Sequence, residues 1–477
     1  MDYKQHLVKT FGFKEFHGIQ ETVIRHLLQQ KHAMVIMPTG SGKSILYQIP
    51  ALIFEGLTVV ISPLIALMKD QVDALKKKKI DATYINSSLT KRERLKRYEE
   101  ISEGHFIILY VTPERFRKKD FNDIIAKRKI SLLAVDEAHC ISQWGHDFRP
   151  DYSRIKEFRH LLGNPLTIAL TATATPHVQE DIIKQLGLNK QDVTIFHEGI
   201  NRPNLYLSVR NLWGEDEKFA EITRVIEKNR GSGIIYFVLI KDLYMMSDRL
   251  NKIKIPHLIY HGELAPAERK QVQNRFMKDK QALILATNAF GMGIDKDNIR
   301  FIIHAQLPSS IEAYYQEIGR AGRDSKPSYC LLLYDEQDIN IQLEFINWNN
   351  PSASYFLRLY HLLINDIERV NGEGIDFLRE QLVYKSKNDY RLDTALGLLD
   401  RFGVTEGDIG DKTLRLISEL PSNLSRQQEI EKKKKREQEK LYQLVLYTKE
   451  TTCRKKYIHT YFGIKFPGFC NACDLEN

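Results

Sequence analysis

Two adjacent carboxylates follow an apolar run in the segment Leu132-Leu-Ala-Val-Asp136-Glu137-Ala138-His139. The apolar run predicts a buried strand that delivers both acids to the edge of a sheet. Adjacent carboxylates there can divide two tasks. Asp136 can hold a magnesium ion through its water shell, and Glu137 can orient and deprotonate an attacking water. Since the pair alone is equally consistent with a solvated strand end, its interpretation depends on the rest of the chain.

A glycine-rich turn lies earlier, in the segment Ala33-Met-Val-Ile-Met37-Pro38-Thr39-Gly40-Ser41-Gly42-Lys43-Ser44. An apolar strand, this turn and a helix follow in the order that a phosphate-binding loop requires, although Met37 stands where the motif usually has its first glycine. Backbone N–H groups of such a turn cradle phosphates, Lys43 reaches the outer phosphates and the Ser44 hydroxyl binds magnesium. The predicted nucleotide-binding residues are Thr39, Gly40, Ser41, Gly42, Lys43 and Ser44.

The length and composition limit the class of protein. A chain of 477 residues should divide into two to four domains. No apolar stretch approaches the roughly 20 residues of a membrane span, and the N-terminus has no signal-peptide core, so the cytosol is the expected location, close to the nucleoid in a bacterium. The formal charge of +9 favours a polyanionic partner such as nucleic acid.

Apolar strands alternate with helical patterns in two successive sets, which predicts two α/β lobes with parallel sheets. Ligands of such sheets bind beyond the carboxyl ends of the strands. The second set has no phosphate loop of its own, but its segment Tyr315-Gln-Glu-Ile-Gly-Arg320-Ala-Gly-Arg323 places two arginines three residues apart. Guanidinium groups fork onto phosphate oxygens, so one lobe can hold ATP while the other completes the site when the cleft closes. A surface salt-bridge network is the alternative for this pair.

Together these motifs resemble the RecQ family of superfamily 2 helicases. The resemblance runs continuously from about residue 8 to 340. It includes the phosphate loop, Asp136-Glu-Ala-His139, the aromatic-rich segment from Cys140 to Tyr152, Phe290-Gly-Met-Gly293 and the two-arginine segment, all in family order. The aromatic-rich segment distinguishes RecQ from other helicases that carry the same acidic motif.

The resemblance implies a role for each matching residue. Gln20 contacts adenine, Phe13 stacks on it, and His17 stands where the family usually has an arginine beside the nucleotide. Arg320 contacts phosphate, Arg323 is the arginine finger, and Gly293 and Asp295 belong to the nucleotide site. The implied DNA-sensing residues are Trp144, His146, Phe148 and Arg149. Aromatic side chains suit that role, since they stack on unpaired bases without reading their sequence.

The C-terminal third departs from the family pattern. Between residues 347 and 420, apolar spacing predicts three amphipathic helices followed by a small hairpin. These fit either a winged-helix-like insert or an unspecialised helical spacer. A long helix is predicted from Gln427 to Tyr447. It carries the run Lys432-Lys-Lys-Lys-Arg436, which could track phosphates or be a solvated face.

Cys453, Cys470 and Cys473 resemble the family's zinc module, and the fourth cysteine is expected at position 476, where this chain has a glutamate. We expect zinc on the three thiolates, with the fourth ligand open among Glu476, Asp474 and water. Three reduced structural cysteines are the alternative.

The sequence therefore predicts an α/β protein with two RecA-like lobes and a mostly helical C-terminal region. The expected domains are residues 1–206, 207–345, 346–425 and 426–477. The family resemblance implies the function of a 3′-to-5′ DNA helicase in recombination and repair, with ATP, Mg²⁺ and Zn²⁺ as cofactors. It would act as a monomer on single-stranded and tailed duplex DNA, alongside repair proteins. An RNA-stimulated ATPase and an ATP-gated DNA clamp that does not unwind are the alternatives.

Overall fold

The computed structural model describes residues 2–38, 40–63, 65–142, 150–291, 294–382, 389–466, 468 and 470–475. Within these residues the chain forms two parallel sheets flanked by helices, followed by a mostly helical region. The predicted fold class is confirmed. Among the described helices, none has the length and apolar character that crossing a membrane requires.

The first lobe contains a seven-stranded parallel sheet in the order β3-β4-β2-β5-β6-β1-β7. Its strands are β1 His32–Ile36, β2 Leu57–Ile61, β3 Ala82–Ile85, β4 Ile108–Val111, β5 Ile130–Val135, β6 Leu166–Thr171 and β7 Val193–His197. Its helices are α1 Tyr3–His6, α2 Gln20–Leu28, α3 Ile45–Ala51, α4 Ile65–Lys77, α5 Lys91–Ser102, α6 Lys119–Ile125, α7 Ile155–Leu161 and α8 Pro176–Gln185. Strands β2, β4 and β6 are buried at every position, as expected for a sheet covered on both faces.

Short 3₁₀ or π segments complete this lobe: Leu7–Phe11, Pro113–Arg117, Ala138–Ile141, Pro150–Arg154 and Lys190–Asp192. The acidic pair follows β5 and the glycine-rich turn follows β1, with β6 between them. Since neighbouring strands lie about 4.8 Å apart, the two motifs emerge roughly 10 Å apart at the same sheet edge.

The second lobe contains a six-stranded parallel sheet in the order β10-β11-β9-β12-β13-β8. Its strands are β8 Leu205–Asn211, β9 Ser232–Tyr236, β10 Leu258–Tyr260, β11 Leu283–Ala286, β12 Ile299–His304 and β13 Ser328–Tyr334. Its helices are α9 Gly214–Lys228, α10 Ile240–Lys252, α11 Pro266–Lys278, α12 Ile311–Ile318 and α13 Gln337–Asn349. Strand β8 is an edge strand and follows directly on the segment that links the two lobes.

Within the described part of the insert there are five helices and a hairpin. Its elements are α14 Ala353–Asn365, α15 Ile367–Glu373, α16 Ile375–Leu382, α17 Arg391–Arg401, β14 Thr405–Glu406 paired with β15 Arg415–Leu416, and α18 Ser422–Ser425. The three predicted helices correspond to α14, α16 and α17, and the hairpin is present. The short helices α15 and α18 were not predicted. The insert has a hydrophobic core of its own, built around Phe356, Leu359 and Leu378.

Helix α19, Gln427–Thr448, joins the insert to the second lobe. Near its start Ile430 belongs to the core of the insert, whereas Leu444 and Tyr447 near its end belong to the core of the second lobe. Helix α20, Arg454–Tyr461, and residues 470–475 then form the cysteine module. This module shares the core of the second lobe.

The insert also contacts the first lobe. Arg117 donates to the carbonyl oxygens of Asp400, at 3.0 Å, and Arg401, at the C-terminal end of α17, and it pairs with the buried Asp151. Lys118 pairs with Glu406 in the hairpin. The carboxyl end of a helix carries partial negative charge and favours a cation. The insert is therefore held by both lobes.

Candidate active site

The glycine-rich turn after β1 leads into α3. Gly40 and Gly42 have φ angles of +82° and +79°, a left-handed conformation that glycine adopts without the strain that a Cβ atom brings. Ser41 donates from Oγ to the carbonyl oxygen of Pro38 at 2.6 Å, which tightens the turn. Thr39 lies outside the described residues. The turn therefore has the backbone conformation that lets N–H groups converge on an anion.

Lys43 and Ser44 follow this turn. The Lys43 Nζ is buried and has no hydrogen-bond partner among the described residues. Ser44 is the N-cap residue of α3, yet its side chain makes no capping hydrogen bond. It lines a small cavity together with Asp136 from the neighbouring motif. A buried ammonium is costly unless an anion offsets its charge, so these residues fit a phosphate group and its metal ion.

Asp136 and Glu137 leave β5 at the same edge. Burial, reinforced by the charge of Glu137, raises the pKa of Asp136 to about 7, while Lys43 opposes the shift. Glu137 has φ +47°, a strained conformation for a residue with a Cβ atom and one that clusters at functional sites. Its carboxylate lies 3.4 Å from His139 Nδ1, which in turn lies 3.0 Å from Thr171 Oγ1. The structure thus brings Asp136 beside Ser44 and within electrostatic reach of Lys43, with Glu137 next to it in the chain.

A layer of buried polar side chains lies beneath the acids, and sequence reasoning did not find it. Tyr47 and Tyr110 place their hydroxyl oxygens 3.3 Å apart, and Gln48 donates to Tyr110 at 3.3 Å and to Gln71 at 3.1 Å. Burial raises the pKa of Tyr110 to about 12, so its hydroxyl is neutral at physiological pH. Tyr47, Tyr110 and Gln71 line the same small cavity as Asp136.

The residues predicted at adenine lie at the start of α2 and before it. Gln20 is buried, donates to the carbonyl oxygen of Ser41 at 3.0 Å and accepts from the backbone N–H of His17 at 3.0 Å. Its amide therefore braces the phosphate loop, and its contact with adenine stays a prediction. His17 is exposed, and Phe13 is half exposed, which leaves its ring accessible for stacking.

The second lobe places one of its two predicted arginines against the phosphate loop. A Cβ atom built on Gly40 would lie 3.0 Å from Arg323 Cδ, so Arg323 packs closely on the backbone of the loop. Arg323 pairs with Asp295 at 2.6 Å, and burial lowers the pKa of its guanidinium. Arg320 donates to the carbonyl oxygen of Gly291 and is also buried. Both arginines keep a buried Nε without a partner among the described residues. The neighbouring predicted residue, Gly293, lies outside the described residues.

The predicted DNA-sensing residues, Trp144, His146, Phe148 and Arg149, lie outside the described residues. The described positions on either side are firmly held. Ser142 donates to Asp181 at 2.6 Å, and Tyr152 is fully buried. The segment that carries the predicted sensors thus begins and ends on fixed points of the first lobe.

Phe237 begins the segment Phe237-Val-Leu, which stands where the resemblance to the RecQ family implies small and polar residues at a site of contact with the DNA backbone. It is buried in the second-lobe core, and Gln306 Oε1 accepts the backbone N–H groups of Val238 at 2.8 Å and Leu239 at 3.1 Å. The N-terminus of α10 is thereby occupied by a side chain of the protein itself.

Three cysteines converge in the cysteine module. The sulfur atoms of Cys453, Cys470 and Cys473 all lie within 4.8 Å of one another. Burial raises the pKa of Cys453, although its sulfur accepts the backbone N–H of Lys456 at 3.4 Å. Zinc bound to thiolates at about 2.3 Å separates the sulfurs by roughly 3.8 Å, so the cluster fits that metal.

The candidate fourth ligands differ in their surroundings. Asp474 pairs with Arg454 at 3.0 Å and accepts the backbone N–H of Val209 at 2.7 Å, so its carboxylate is engaged away from the sulfurs. Glu476 lies outside the described residues.

Many cations of α19 face acids. Lys432 pairs with Glu429 at 2.7 Å, and Lys440 with Glu312 at 3.5 Å. Helix α19 also borders a cavity of about 430 Å³ that it shares with α13 and α17. Both interpretations of the basic run, phosphate tracking and a solvated face, remain open.

Three family models match separate parts of the chain. They describe a DEAD/DEAH box helicase at residues 17–182, the helicase conserved C-terminal domain at 217–325 and RecQ zinc-binding at 414–476. Among solved structures, the helicase Lhr of Mycobacterium smegmatis bound to single-stranded DNA and AMP-PNP has a TM-score of 0.54. It is 19% identical and covers 86% of this chain and 59% of its own, a likeness of fold alone.

The ATP-dependent DNA helicase RecQ of Bacillus subtilis is 48% identical over 339 residues, 70% of this chain and 56% of that protein. The chain therefore spans about half the length of the RecQ proteins it matches first. A second protein of Bacillus subtilis, named "Probable ATP-dependent DNA helicase RecS", is 38% identical over 368 residues, 77% of this chain and 73% of its own length. With the RecQ zinc-binding match, these similarities show that the chain belongs to the RecQ family of DNA helicases.

Proposed function

We propose that this chain is an ATP-dependent DNA helicase that moves 3′ to 5′ along one strand and separates duplex DNA. The observation that carries the proposal is the approach of Arg323 in the second lobe to Gly40 in the phosphate loop of the first. A site built from two lobes changes when the lobes move, so ATP binding and hydrolysis can be converted into steps along a strand. The RecQ relatives named above support DNA as the substrate.

Lys43, Ser44 and Asp136 would hold ATP with its magnesium ion. The orphaned ammonium of Lys43 fits the outer phosphates, and the Ser44 hydroxyl and Asp136 carboxylate are oxygen donors of the kind magnesium prefers. The bound metal would neutralise charge on the phosphate oxygens. Glu137 then orients the attacking water and accepts its proton. Its strained backbone aims the carboxylate, and His139 stands 3.4 Å away on the other side.

Arg323 and Arg320 would complete the site from the second lobe. Their fixed positive charge stabilises the negative charge that develops on the transferred phosphoryl group. Arg323 already lies on the phosphate loop, which makes it the candidate arginine finger, while Arg320 is anchored by the backbone at Gly291. When phosphate leaves, this attraction across the cleft falls and the lobes can separate.

The remaining roles are proposed on the family resemblance. Trp144, His146, Phe148 and Arg149 would contact single-stranded DNA and couple it to hydrolysis. Cys453, Cys470 and Cys473 would hold zinc, with Glu476 or water as the fourth ligand, because Asp474 is already engaged. We place the domain boundaries at 206/207, 345/346 and 425/426, with 346–425 as a winged-helix-like unit.

The test is ATP-dependent strand separation on three matched partial duplexes: DNA with a 3′ tail, DNA with a 5′ tail and RNA with a 3′ tail. Unwinding of the 3′-tailed DNA alone supports the proposal. The matched control is Glu137→Gln, which keeps the side-chain shape and should bind ATP without turning it over. ATP hydrolysis on DNA without strand separation would favour a clamp, and unwinding of RNA alone would favour the RNA-stimulated ATPase.

A further inference from the structure

The segment that links the two lobes also holds the arginine-bearing turn of the second lobe. Arg202 lies in this segment, between β7 and β8. Its guanidinium donates to the carbonyl oxygens of Gly319 at 3.1 Å, Ala321 at 2.7 Å and Gly322 at 3.0 Å. These three residues surround Arg320 and precede Arg323. One planar fork therefore fixes the backbone of the turn that carries both arginines.

Asn204 adds a second attachment to the same turn. Its amide donates to the carbonyl oxygens of Gly322 at 2.8 Å and Lys326 at 2.9 Å. Gly322 has φ +55°, and a Cβ atom there would lie 2.7 Å from Ser328 Oγ, so the turn accommodates only glycine. The conformation of the turn is thus set by the linking segment on one side and by close packing on the other.

The cysteine module also contacts the linking segment. Lys455, on α20, is buried and donates from Nζ to the carbonyl oxygen of Arg202 at 2.9 Å. Next to it, the backbone of the module pairs with β8: the Leu207 N–H donates to Ala472 at 3.0 Å, and the Asp474 N–H donates to Leu207 at 3.0 Å. The module therefore extends the second sheet where the linking segment enters it.

We propose that Arg202 is a positioning residue for Arg320 and Arg323, and that Lys455 extends this chain of hydrogen bonds to the cysteine module. The inference rests on the proposed function, because it assigns Arg202 to the same ATP site. It adds that the module acts on ATP hydrolysis through the linking segment. The Lys455 ammonium donates to the backbone carbonyl of Arg202, and the Arg202 guanidinium donates to the carbonyl oxygens of the turn.

A purely structural role makes a different prediction from a positioning role. If Arg202 only stabilised the second lobe, replacing it would lower the thermal midpoint and reduce activity in proportion to the unfolded fraction. If it positions the arginines, the folded enzyme itself turns over more slowly. Its KM for ATP should stay unchanged, because the hydrogen bonds of the Arg202 guanidinium go to the linking segment and to the arginine-bearing turn of the second lobe.

The first test is DNA-stimulated ATP turnover by the full chain. We expect Arg202→Gln to lower kcat about 100-fold, the cost of displacing a catalytic group by about 1 Å, with KM within about twofold. Arg202→Lys, which keeps the charge but loses the planar fork, should recover only part of kcat, and Lys455→Met should show a smaller fall. Arg210→Gln is the matched control, because Arg210 lies on β8, is exposed and forms an ion pair with Glu221, at 4.0 Å.

A double-mutant cycle separates positioning from general damage. In a background with both Arg320→Ala and Arg323→Ala, Arg202→Gln should lower kcat by no more than about threefold further, since its effect passes through these two arginines. A full additional loss in that background would overturn the inference.

Hydrogen exchange gives a readout that does not need turnover. The amides of residues 319–324 should exchange about tenfold faster in Arg202→Gln and Lys455→Met, with β9 and β12 unchanged. Unchanged exchange at the turn would overturn the inference whatever the activity. A wild-type chain that shows no DNA-stimulated turnover would instead refute the proposed function, and the exchange result would still decide the role of Arg202.

Discussion

Replacing Lys43 by methionine should stabilise the protein without nucleotide and destabilise it, relative to wild type, when ATP is bound. The Lys43 ammonium is buried and has no hydrogen-bond partner among the described residues. Leaving such a donor unsatisfied costs about 1–3 kcal/mol of folding free energy. Methionine has a similar length and no charge, so it removes this cost while filling the same space.

The attraction between Lys43 and Asp136 reduces the expected gain but does not cancel it. Burial already raises the pKa of Asp136 to about 7, so without Lys43 this carboxyl can take up a proton near neutral pH and lose its charge. We therefore expect a net gain of about 1–2 kcal/mol. For a unit of roughly 200 residues this corresponds to a rise in thermal midpoint of about 2–8 °C.

ATP reverses the order. A ligand at one hundred times its dissociation constant stabilises the folded protein by about 2.7 kcal/mol. Wild type should gain this amount, whereas Lys43→Met should gain almost nothing because the phosphate contact is gone. Lys43→Met should therefore be more stable than wild type without nucleotide and less stable than wild type with ATP.

The assay is a thermal melt of both proteins with and without magnesium and a non-hydrolysable ATP analogue. Lys31→Met is the control, since Lys31 is exposed just before β1. Its free energy of unfolding should change by less than about 0.5 kcal/mol. A lower midpoint for Lys43→Met without nucleotide would refute the reasoning about its burial. A full nucleotide shift in that variant would remove Lys43 from the phosphate site.

Three further predictions concern separate parts of the chain. Glu137→Gln should lower ATP turnover at least about 1,000-fold and leave ATP binding intact, as measured by steady-state hydrolysis and calorimetric titration. Lys218→Met should cost about 3–5 kcal/mol in the free energy of unfolding, because Asp338, 3.2 Å away and equally buried, would lose its partner. Cys470→Ser should reduce the zinc content of protein purified without chelator, as measured by metal analysis, because it removes one of three converging thiolates.

Each of these has a matched comparison. Retained turnover would exclude Glu137 as the base. The double variant Lys218→Met with Asp338→Asn should recover most of the lost stability, since the neutral amide oxygen can still accept the backbone N–H of Leu307; no recovery would mean that packing, not charge, sets the cost. Cys330→Ser serves as the control for zinc because Cys330 is buried in β13 and is not part of the cluster. Equal zinc in both cysteine variants would refute the assignment.

Local patterns predicted the parts of the site whose residues are neighbours in sequence. An apolar strand followed by glycines and a lysine specifies its own conformation, so the phosphate loop and the acidic pair were located correctly relative to their strands. The edge strands β3, β7, β8 and β10 were not predicted. Edge strands are short or only partly covered, so their apolar runs are weaker.

Contacts between distant residues could not be predicted from the same patterns. Arg202 and the carbonyl oxygen of Gly319 are 117 residues apart, and nothing in the spacing of either segment indicates the partner. Tyr110 lies in a strand of ordinary apolar composition. The sequence therefore did not indicate that its hydroxyl lines a cavity with Asp136. The Gln20 amide can contact adenine or the backbone of the phosphate loop, and the sequence does not distinguish the two. In the structure it donates to the carbonyl oxygen of Ser41 in the loop.

The insert restricts how the two lobes can move relative to each other. Two bodies joined by one linking segment make an open hinge, and each can swing without moving anything else. Here the insert is attached to the second lobe through α19 and to the first lobe through Arg117 and Lys118, so the bodies form a closed mechanical loop. In a closed loop no joint moves alone, and opening of the ATP cleft must displace the insert. A force applied to the insert would therefore be transmitted to the cleft between the two lobes.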